Sequence, residues 1–243
     1  MENGYGEDLA YIHDAGFGAF SLNAAPGLLD ILRRSGICGG LVVDLGCGNG
    51  LWARRVVDAG YSVLGIDMSP EMIALARSRV PEGRFLRRSL FSADLPDCDA
   101  VTSIGECFNY LFDSNNSWAS LTRVLRRIFK ALRKGGVLVF DLAGPGRLCG
   151  RPPVLSHYEG KDWAILVRAA EDEHGSTLTR KITAFRRVGE FYRRTDETHR
   201  LRLYDAARVA GGLRAIGFSV RVLRGYGQLR FVRGHAAFLA RKV

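Results

Sequence analysis

The most constraining feature of this chain is a glycine-rich segment, residues 44–50, at the end of a mostly apolar run at 41–45. It reads Asp-Leu-Gly-Cys-Gly-Asn-Gly, and residues 51–59 after it carry apolar side chains at helical spacing. Glycines at a strand-to-helix turn let the backbone bend tightly and approach a ligand closely. The segment therefore predicts a ligand-binding turn at the end of a buried strand.

Short apolar strands and helical patterns alternate around this segment, which is typical of a parallel sheet with crossover helices. Ser69 and Pro70 mark a helix start, as N-cap and first helical residue, and Lys134, Gly135 and Gly136 mark a helix end. The predicted fold class is α/β, with a Rossmann-like sheet. Its strands are expected at 41–45, 62–66, 84–89, 100–104 and 137–142, with helices at 51–59, 69–79 and 118–132.

The pattern changes after residue 142. Three stretches with period-two alternation, at about 162–170, 176–188 and 190–204, predict an inserted antiparallel β-meander. A helix at 205–216 and strands at 218–223 and 236–240 then complete a seven-stranded sheet. We expect one domain over 1–243, comprising an N-terminal helical lid over the sheet edge (1–40), a core (41–142), the meander (143–204) and a C-terminal part of the sheet (205–243).

The glycine segment narrows the choice of ligand. Gly46 and Gly48 fit the dinucleotide fingerprint G-x-G-x-x-G, but its third glycine position holds Leu51, and a glycine comes one residue early, at Gly50. Asp44 is also foreign to that fingerprint. No Lys followed by Ser or Thr is present, which excludes a P-loop.

The segment resembles the first motif of the class I S-adenosylmethionine-dependent methyltransferases, D-x-G-x-G-x-G. The match is complete across Asp44, Gly46, Gly48 and Gly50, and Asp67 closes the second predicted strand. The order of strands and helices is also similar, so the resemblance covers nearly the whole chain. It implies the seven-stranded class I fold and an enzyme that uses S-adenosyl-L-methionine as its cofactor.

The resemblance also implies which residues contact the cofactor. Asp44 and the three glycines would hold the methionine part, Asp67 the ribose hydroxyls, and Met68 the adenine ring. The family often has an aspartate at the end of the third strand, where this chain offers Ser89, with Leu90 beside it. The full expected set is Asp44, Gly46, Cys47, Gly48, Gly50, Asp67, Met68, Ser89, Leu90 and Gly105.

Polar residues after the fourth strand are candidates for the chemistry. Glu106, Asn109 and Tyr110 lie there, and ligands of open α/β sheets bind at the carboxyl ends of the strands. A methyl acceptor that carries a proton needs a nearby base, so these residues are expected beside the sulfonium. The alternative is that they only cap the loop.

The meander and the N-terminus supply further candidates. Glu197 and His199 share a strand face with two leucines, so they point towards the core or a pocket. His199 is a candidate base and Glu197 a substrate contact, against a purely structural role. Tyr11 and Phe17 are candidate substrate contacts in an aromatic lid, against ordinary helix packing.

The layout, with its inserted meander, is similar to small-molecule methyltransferases of the amino-sugar N-methyltransferase type. The leading hypothesis is methyl transfer to a small molecule at nitrogen or oxygen. A net charge of +10 keeps an RNA methyltransferase open as the alternative. However, the arginine pairs are spread along the chain and the only Pro-Pro, at 152–153, is in the wrong place for an RNA methyltransferase motif. A non-catalytic cofactor-binding protein also remains open.

The cysteines, at 38, 47, 98, 107 and 149, are odd in number and have no close pair, so reduced thiols are expected. No Cys/His cluster and no cluster of carboxylates suggests a metal site. No apolar run approaches the roughly 20 residues that a membrane span needs. A start without a basic region or apolar core makes the cytoplasm the expected location. The sequence leaves monomer and homodimer equally open.

Overall fold

The computed structural model describes residues 4–113, 116–148 and 150–243. Within these residues the chain forms two larger sheets and six α-helices. The helices are α1 (Glu7–Gly16), α2 (Ala19–Arg34), α3 (Leu51–Asp58), α4 (Pro70–Arg79), α5 (Trp118–Ala131) and α6 (Ala206–Ile216). Cys149 lies outside the described residues, and the other four cysteines are free thiols, as expected.

The larger sheet has seven strands, which confirms the predicted fold class. It contains β1 (Leu41–Leu45), β2 (Ser62–Asp67), β3 (Arg84–Arg87), β4 (Cys98–Ser103), β5 (Leu132–Ala143), β10 (Phe218–Leu223) and β13 (His235–Lys242). Their order is β10-β13-β5-β4-β1-β2-β3. The strands β1 to β5 pair in parallel, whereas β13 runs antiparallel to both of its neighbours. The carboxyl ends of β1, β2 and β4 therefore share one edge of the sheet.

Local signals place the helices as the sequence predicts. The hydroxyl of Ser69 accepts a hydrogen bond from the Met72 amide (3.1 Å), and Pro70 is the first residue of α4. Asp205 caps α6 in the same way, by accepting from the amide of Arg208 (2.8 Å), and Gly217 ends that helix with φ 117°. Such caps satisfy backbone groups that a helix leaves unpaired at its ends.

Two apolar layers cover the seven-stranded sheet. One contains α5 and α6, and the other contains α2 and α3. Each large side chain that is fully buried in these layers contributes about 1.5–3 kcal/mol to folding. The layers fix the strand ends, which makes the loop edge of the sheet a rigid platform.

The inserted sheet is antiparallel, as predicted, but has four strands rather than three: β6 (Val154–Glu159), β7 (Trp163–Glu171), β8 (Thr177–Val188) and β9 (Phe191–Arg202). The sequence analysis missed β6 because most of its residues are exposed, so it lacks an alternating apolar pattern. A short hairpin of β11 (Gly225–Tyr226) and β12 (Leu229–Arg230) was also missed.

Three predicted positions differ from the structure. The helix predicted over 118–132 ends at Ala131, as expected, but β5 begins at Leu132 rather than at 137, and an irregular register with β4 takes up Gly135 and Gly136. The strand β3 ends at Arg87, before Ser89. The N-terminal helices do not lie together over the sheet edge: α1 packs on the four-stranded sheet through Leu9 and Ile12, while α2 packs with α3.

Candidate functional site

A cavity of about 780 Å³ opens at the carboxyl ends of β1, β2 and β4. One part, called here the loop end, is lined by the glycine segment together with Asp67, Met68 and Leu90. The other part, called here the meander end, is lined by Tyr110, Arg147, Tyr158 and Arg180. The cavity thus joins the two sheets of the molecule, and its volume is in the range typical of small-ligand pockets.

The glycines of the loop are required by its geometry. Gly46, Gly48 and Gly50 have φ values of 75°, 51° and 76°, a region that L-residues with side chains rarely adopt. A Cβ atom on Gly46 would lie 2.5 Å from the sulfur of Cys107, and one on Gly50 would lie 3.0 Å from the Cα atom of Ala76. Gly48 meets no described atom within 4 Å and faces the cavity.

Asp44 is a nearly fully buried carboxyl group at the base of the loop end. The hydroxyl of Thr102 donates to its Oδ1 atom (2.8 Å), and the Trp52 indole donates to that hydroxyl (3.0 Å). Burial outweighs the Thr102 hydrogen bond and raises the pKa of Asp44 to about 7. An unpaired acid here is costly to ionise, so the site favours a cationic partner.

Asp67 ends β2, as predicted, and organises the same loop. Its two oxygens accept from the backbone amides of Gly48 and Ser69, both at 2.9 Å. Burial raises the pKa of Asp67, and these two hydrogen bonds partly offset the effect. Both oxygens keep acceptor capacity beyond these bonds. Met68, 40% exposed, and the buried Leu90 stand beside it as apolar walls.

Ser89 is placed differently from the prediction. Its hydroxyl donates to the carboxylate of Asp113 and accepts from the amide of Phe91, so it organises the turn after β3. Leu90, Phe91 and Asp113 line the cavity there, whereas Ser89 does not. Asp113, together with Arg87 and Arg88, therefore supplies the polar groups that line this part of the cavity.

Glu106 lines the cavity in a strained backbone conformation, with φ 64°. Its two oxygens pair with Arg147 and Arg180, each at 2.7 Å. Burial alone would raise its pKa, but the two guanidinium groups outweigh burial and hold the pKa of Glu106 below its ordinary value. A carboxylate so stabilised is a weak base, which argues against the base role expected for it.

Asn109 is fully buried and its amide is committed to the backbone. The nitrogen donates to the carbonyls of Ala143 (2.8 Å) and Arg202 (2.6 Å), and the oxygen accepts from the amide of Ala143 (3.1 Å). It joins the two sheets and is not part of the cavity lining. The expected catalytic role is therefore corrected to a structural one, because no polar group of Asn109 is left for an acceptor.

Tyr110 lines the meander end. Its hydroxyl lies 3.2 Å from that of Tyr5 and 3.4 Å from Nη1 of Arg180. Burial raises the pKa of Tyr110, so the phenol stays protonated at neutral pH and can act as a hydrogen-bond donor. The ring of Tyr110 stacks on Phe112 at 5.0 Å, which fixes its orientation.

His199 and Glu197 lie on the inner face of β9, as predicted, but behind the cavity wall. The rings of Tyr5, Tyr110 and Phe112 surround His199, whose Nε2 atom is 2.8 Å from Glu197. Glu197 also accepts from the amides of Tyr5 and Gly6. Neither residue lines the cavity, so base and substrate roles give way to anchoring of the N-terminal segment.

The two predicted lid residues divide between roles. The hydroxyl of Tyr11 donates to Asp162 (2.6 Å) and Arg186 lies over its ring at 3.8 Å, which ties α1 to the four-stranded sheet outside the main cavity. Tyr11 instead lines a second, shallower cavity of about 740 Å³. Phe17 lines both cavities and packs edge-on against Tyr158 (5.2 Å).

Two histidines also line the cavity, and the sequence analysis missed one of them, His235. His235 begins β13, and its Nε2 atom lies 2.8 Å from Oδ1 of the fully buried Asp141. His13 lies on α1, where burial lowers its pKa to about 4. Asp141 carried a usable signal, since it is the one charged residue in the apolar run 137–143. His235 carried none that distinguishes it from any strand start.

The described residues contain no group of three or more His, Cys, Asp or Glu side chains that could hold a metal ion. No single helix among them is long and apolar enough to cross a membrane. By length and composition alone, α1 and α2 taken together would be, with a bend of 59° between them.

The loop end fits the cofactor that the sequence motif implies. Gly48 leaves a backbone cradle open to the cavity, Asp44 presents a carboxyl group with one bonded oxygen, and Asp67 keeps acceptor capacity above the loop. These features suit the ammonium and ribose groups of S-adenosylmethionine, and Met68 and Leu90 suit its adenine ring.

Comparison with known proteins gives the same assignment. Residues 42–136 match the family model for a methyltransferase domain. The Bacillus subtilis protein YqeM, named for a methyltransferase, is 26% identical over 187 residues, or 74% of each protein. The malonyl-[acyl-carrier protein] O-methyltransferase of Pectobacterium atrosepticum is 34% identical over 108 residues, which are 44% of this chain and 40% of that one.

Solved structures share the whole fold. The sugar N-methyltransferase KedS8 from a Streptoalloteichus species superposes with a TM-score of 0.78 at 21% identity, covering 100% of this chain and 95% of the other. The amino pentose methyltransferase CalS10 of Micromonospora echinaspora, solved with S-adenosylmethionine bound, gives 0.77 at 21% identity and full coverage of both chains. Residues 42–136 match a methyltransferase domain and the whole chain has the fold of the class I methyltransferases, so both findings agree with the cofactor loop on an S-adenosylmethionine-dependent methyltransferase.

Proposed function

We propose that this methyltransferase transfers a methyl group to a small-molecule acceptor, at a nitrogen or an oxygen atom. The observation that carries the proposal is the meander end, which extends the cavity past the cofactor loop under a cover made by α1 and the four-stranded sheet. A covered compartment with aromatic walls suits a compact acceptor. The names of KedS8 and CalS10 support an amino sugar as one such class.

The residues of the loop end would hold the cofactor. Asp44 would pair with the ammonium of the methionine part, the amides around Gly48 would approach its carboxylate, and Asp67 would accept from the ribose hydroxyls. When bound, S-adenosylmethionine supplies the methyl group as an electrophilic carbon on a sulfonium, with sulfur as the leaving atom.

The meander end would align the acceptor and exclude water, which is the main task of an enzyme in a displacement at carbon. Arg147 and Arg180 place two positive charges against the single negative charge of Glu106. The hydroxyl of Tyr110 and the ring of Tyr158 provide one donor and one apolar wall. This combination favours a polar acceptor that carries a hydrogen-bond acceptor or negative group.

The alternative, an RNA methyltransferase, rests on the net charge of +10. Some of the arginines are paired with carboxylates, among them Arg54, Arg79, Arg133 and Arg193. Paired arginines contribute little to phosphate binding, which depends on free positive charge. A steep loss of RNA binding with added salt would nevertheless restore this function.

The test is methyl transfer from labelled S-adenosylmethionine into an extract of the source cells, followed by separation into small molecules, RNA and protein. We expect label among the small molecules, and much less of it with Asp67→Ala at the same cofactor concentration, because incorporation would depend on this cavity. Label confined to RNA would overturn the small-molecule proposal. Cofactor binding without incorporation into any fraction would instead identify a non-catalytic binding protein.

A further inference from the structure

We propose that His235 is the general base of the reaction, and that Asp141 positions it by holding its Nε2 atom. The inference rests on the proposed function, because a base is needed only if methyl is transferred to an acceptor that carries a proton. It assigns a catalytic role to a residue outside the cofactor motif, on the strand β13.

The carboxyl group of Asp141 accepts every hydrogen bond it makes. Its oxygens accept from the backbone amides of Gly105 (3.0 Å) and Glu106 (2.8 Å) and from the hydroxyl of Tyr226 (3.0 Å). The side chain is fully buried in β5. A carboxylate that is surrounded by donors requires a donor at His235 as well, so the Nε2 atom of His235 carries the hydrogen.

That tautomer leaves Nδ1 of His235 as a bare acceptor. Within the described residues no hydrogen-bond partner occupies Nδ1, and this atom is not among the buried groups without a partner. The ring itself is held flat against Phe231 (4.1 Å) and Phe20 (6.0 Å). His235 lines the cavity beside Gly105 and Phe20. The structure thus holds one imidazole with a fixed ring and an available basic nitrogen.

The charged and titratable groups around His235 come from four segments. Asp141 of β5 and Glu106 after β4 are negative. Arg147 is positive, and its Cβ atom lies beside Gly234, the residue before His235. The hydroxyl of Tyr226 in β11 donates a hydrogen bond to Asp141. Arg147 is itself paired with Glu106 at 2.7 Å. The hydrogen bond to Asp141, at 2.8 Å, is therefore the most direct contact that His235 makes with any of these groups.

The other candidate bases of the cavity region are already committed. Glu106 pairs with two arginines, and His199 is shielded by aromatic rings and pairs with Glu197. His13 faces the cavity, but its burial lowers its pKa to about 4, and such an imidazole is a weak proton acceptor. His235 combines access to the cavity with a hydrogen bond to a buried carboxyl group that fixes its ring.

The step is a proton transfer. The N–H or O–H bond of the acceptor breaks, its electron pair becomes the nucleophile, and a new N–H bond forms at Nδ1, which turns the imidazole into an imidazolium beside the Asp141 carboxylate. The acceptor class is therefore an amine that arrives as an ammonium, or a hydroxyl compound. An acceptor without a removable proton would not need His235.

Activity tests the base directly. The probe is the small-molecule fraction of a source-cell extract with labelled S-adenosylmethionine, and the variants are His235→Gln and Asp141→Asn. General bases contribute roughly 10²–10⁴-fold in rate, so we expect the His235 variant to lose at least about 100-fold at pH 7. Its rate should then rise with pH, as free hydroxide or solvent replaces the base. The exposed His174→Gln is the matched control and should keep the wild-type rate and profile.

A second readout needs no acceptor. Nitrogen NMR of the protein labelled at histidine should show His235 as the Nε2–H tautomer, and Asp141→Asn should abolish this preference. If the wild type labels no small molecule, the proposed function fails. If it does label one while His235→Gln keeps the rate and pH profile, with S-adenosylhomocysteine affinity unchanged, the inference alone fails. A wild-type Nδ1–H tautomer would also overturn it.

Discussion

At the scale of single residues, the loop end depends on two carboxyl groups in different surroundings. Asp67 is held by two backbone amides, whereas Asp44 has one hydroxyl partner and, among the residues that the structure describes, no cationic one. The difference matters for pH, because burial raises the pKa of Asp44 to about 7, from an ordinary value near 4. Asp44 therefore changes charge in the range where the enzyme is expected to work.

We predict that cofactor affinity falls as the pH drops below about 7. The ammonium of the ligand needs the carboxylate form of Asp44, and the free protein takes up a proton there as the pH falls, which costs up to about tenfold in affinity per pH unit. Calorimetry with S-adenosylhomocysteine between about pH 5.5 and pH 8.5 measures this. Asp44→Asn should bind weakly at every pH, and the exposed Asp58→Asn should follow the wild type.

Asp67 leads to a second prediction. Replacement by alanine removes the acceptor for the ribose hydroxyls and releases the amides of Gly48 and Ser69. We expect a loss of about 1.5–3 kcal/mol in cofactor binding, since hydrogen bonds to a charged group have this size. Titration with S-adenosylhomocysteine measures the loss. Unchanged affinity in a folded variant would mean that the ribose lies elsewhere.

Single residues also show what a sequence can predict of a site. Asp44 and the glycines belong to one contiguous motif and Asp67 ends the next strand, so their positions follow from the sequence. The roles expected for Asn109, His199 and Glu197 did not survive, because a polar residue near a strand end can bind backbone as well as ligand. His235 and Asp141 meet only through the pairing of β13 with β5, and no local pattern contains that pairing.

At the scale of secondary structure elements, the cover of the cavity depends on how α1 is attached. Glu197 of β9 accepts from the amides of Tyr5 and Gly6, and Asp8 of α1 accepts from Nε of Arg193 (2.7 Å). Apolar packing of Leu9 and Ile12 on the four-stranded sheet adds to these contacts. The helix is thus bound to the insert, and it closes the cavity together with it.

We predict that Glu197→Gln loosens this attachment. A glutamine oxygen can replace at most part of the carboxylate, so the amides at the start of α1 lose an acceptor and the segment opens more often. Hydrogen exchange should accelerate over residues 5–16, while exchange in β1 and β4 stays unchanged. Asp196→Asn, on the exposed face of the same strand, is the control. Equal exchange in both variants would contradict the anchoring role.

The elements themselves were predictable to different degrees. The strands β1, β2 and β4 are apolar runs between clear turn signals, and the structure has them close to the predicted bounds. The strand β6 is exposed along most of its length, so it shows neither alternation nor an apolar run. The start of β5 was placed too late, at 137, because Gly135 and Gly136, which resemble a helix stop, lie instead in an irregular part of that strand.

At the scale of the whole molecule, the loop end contacts both the seven-stranded sheet and the N-terminal segment. Ser69 beside the loop donates a hydrogen bond to the carbonyl of Tyr5 (3.1 Å), and the side chain of Asn49 donates one to Asp14 of α1 (2.7 Å). The glycine loop is therefore in direct contact with the cover of the cavity.

We predict that S-adenosylhomocysteine stabilises the entire chain in one transition. A ligand at 100 times its Kd adds about 2.7 kcal/mol, and for a protein of this size the melting temperature should rise by about 5–10 °C. Differential scanning calorimetry measures the shift, and Asp67→Ala at the same ligand concentration should show a much smaller one. Two separate transitions would show that the four-stranded sheet folds independently.

The points where the insert leaves and rejoins the larger sheet have an evolutionary consequence. The amide of Tyr204 donates to the carbonyl of Ala143 (3.1 Å), so the two ends of the excursion lie side by side at the end of β5. Such a junction is a tolerant insertion point, because the inserted segment can be lengthened, shortened or exchanged without displacing the strands of the larger sheet. A lineage can therefore diversify its repertoire of acceptors here while the donor half of the enzyme stays constant.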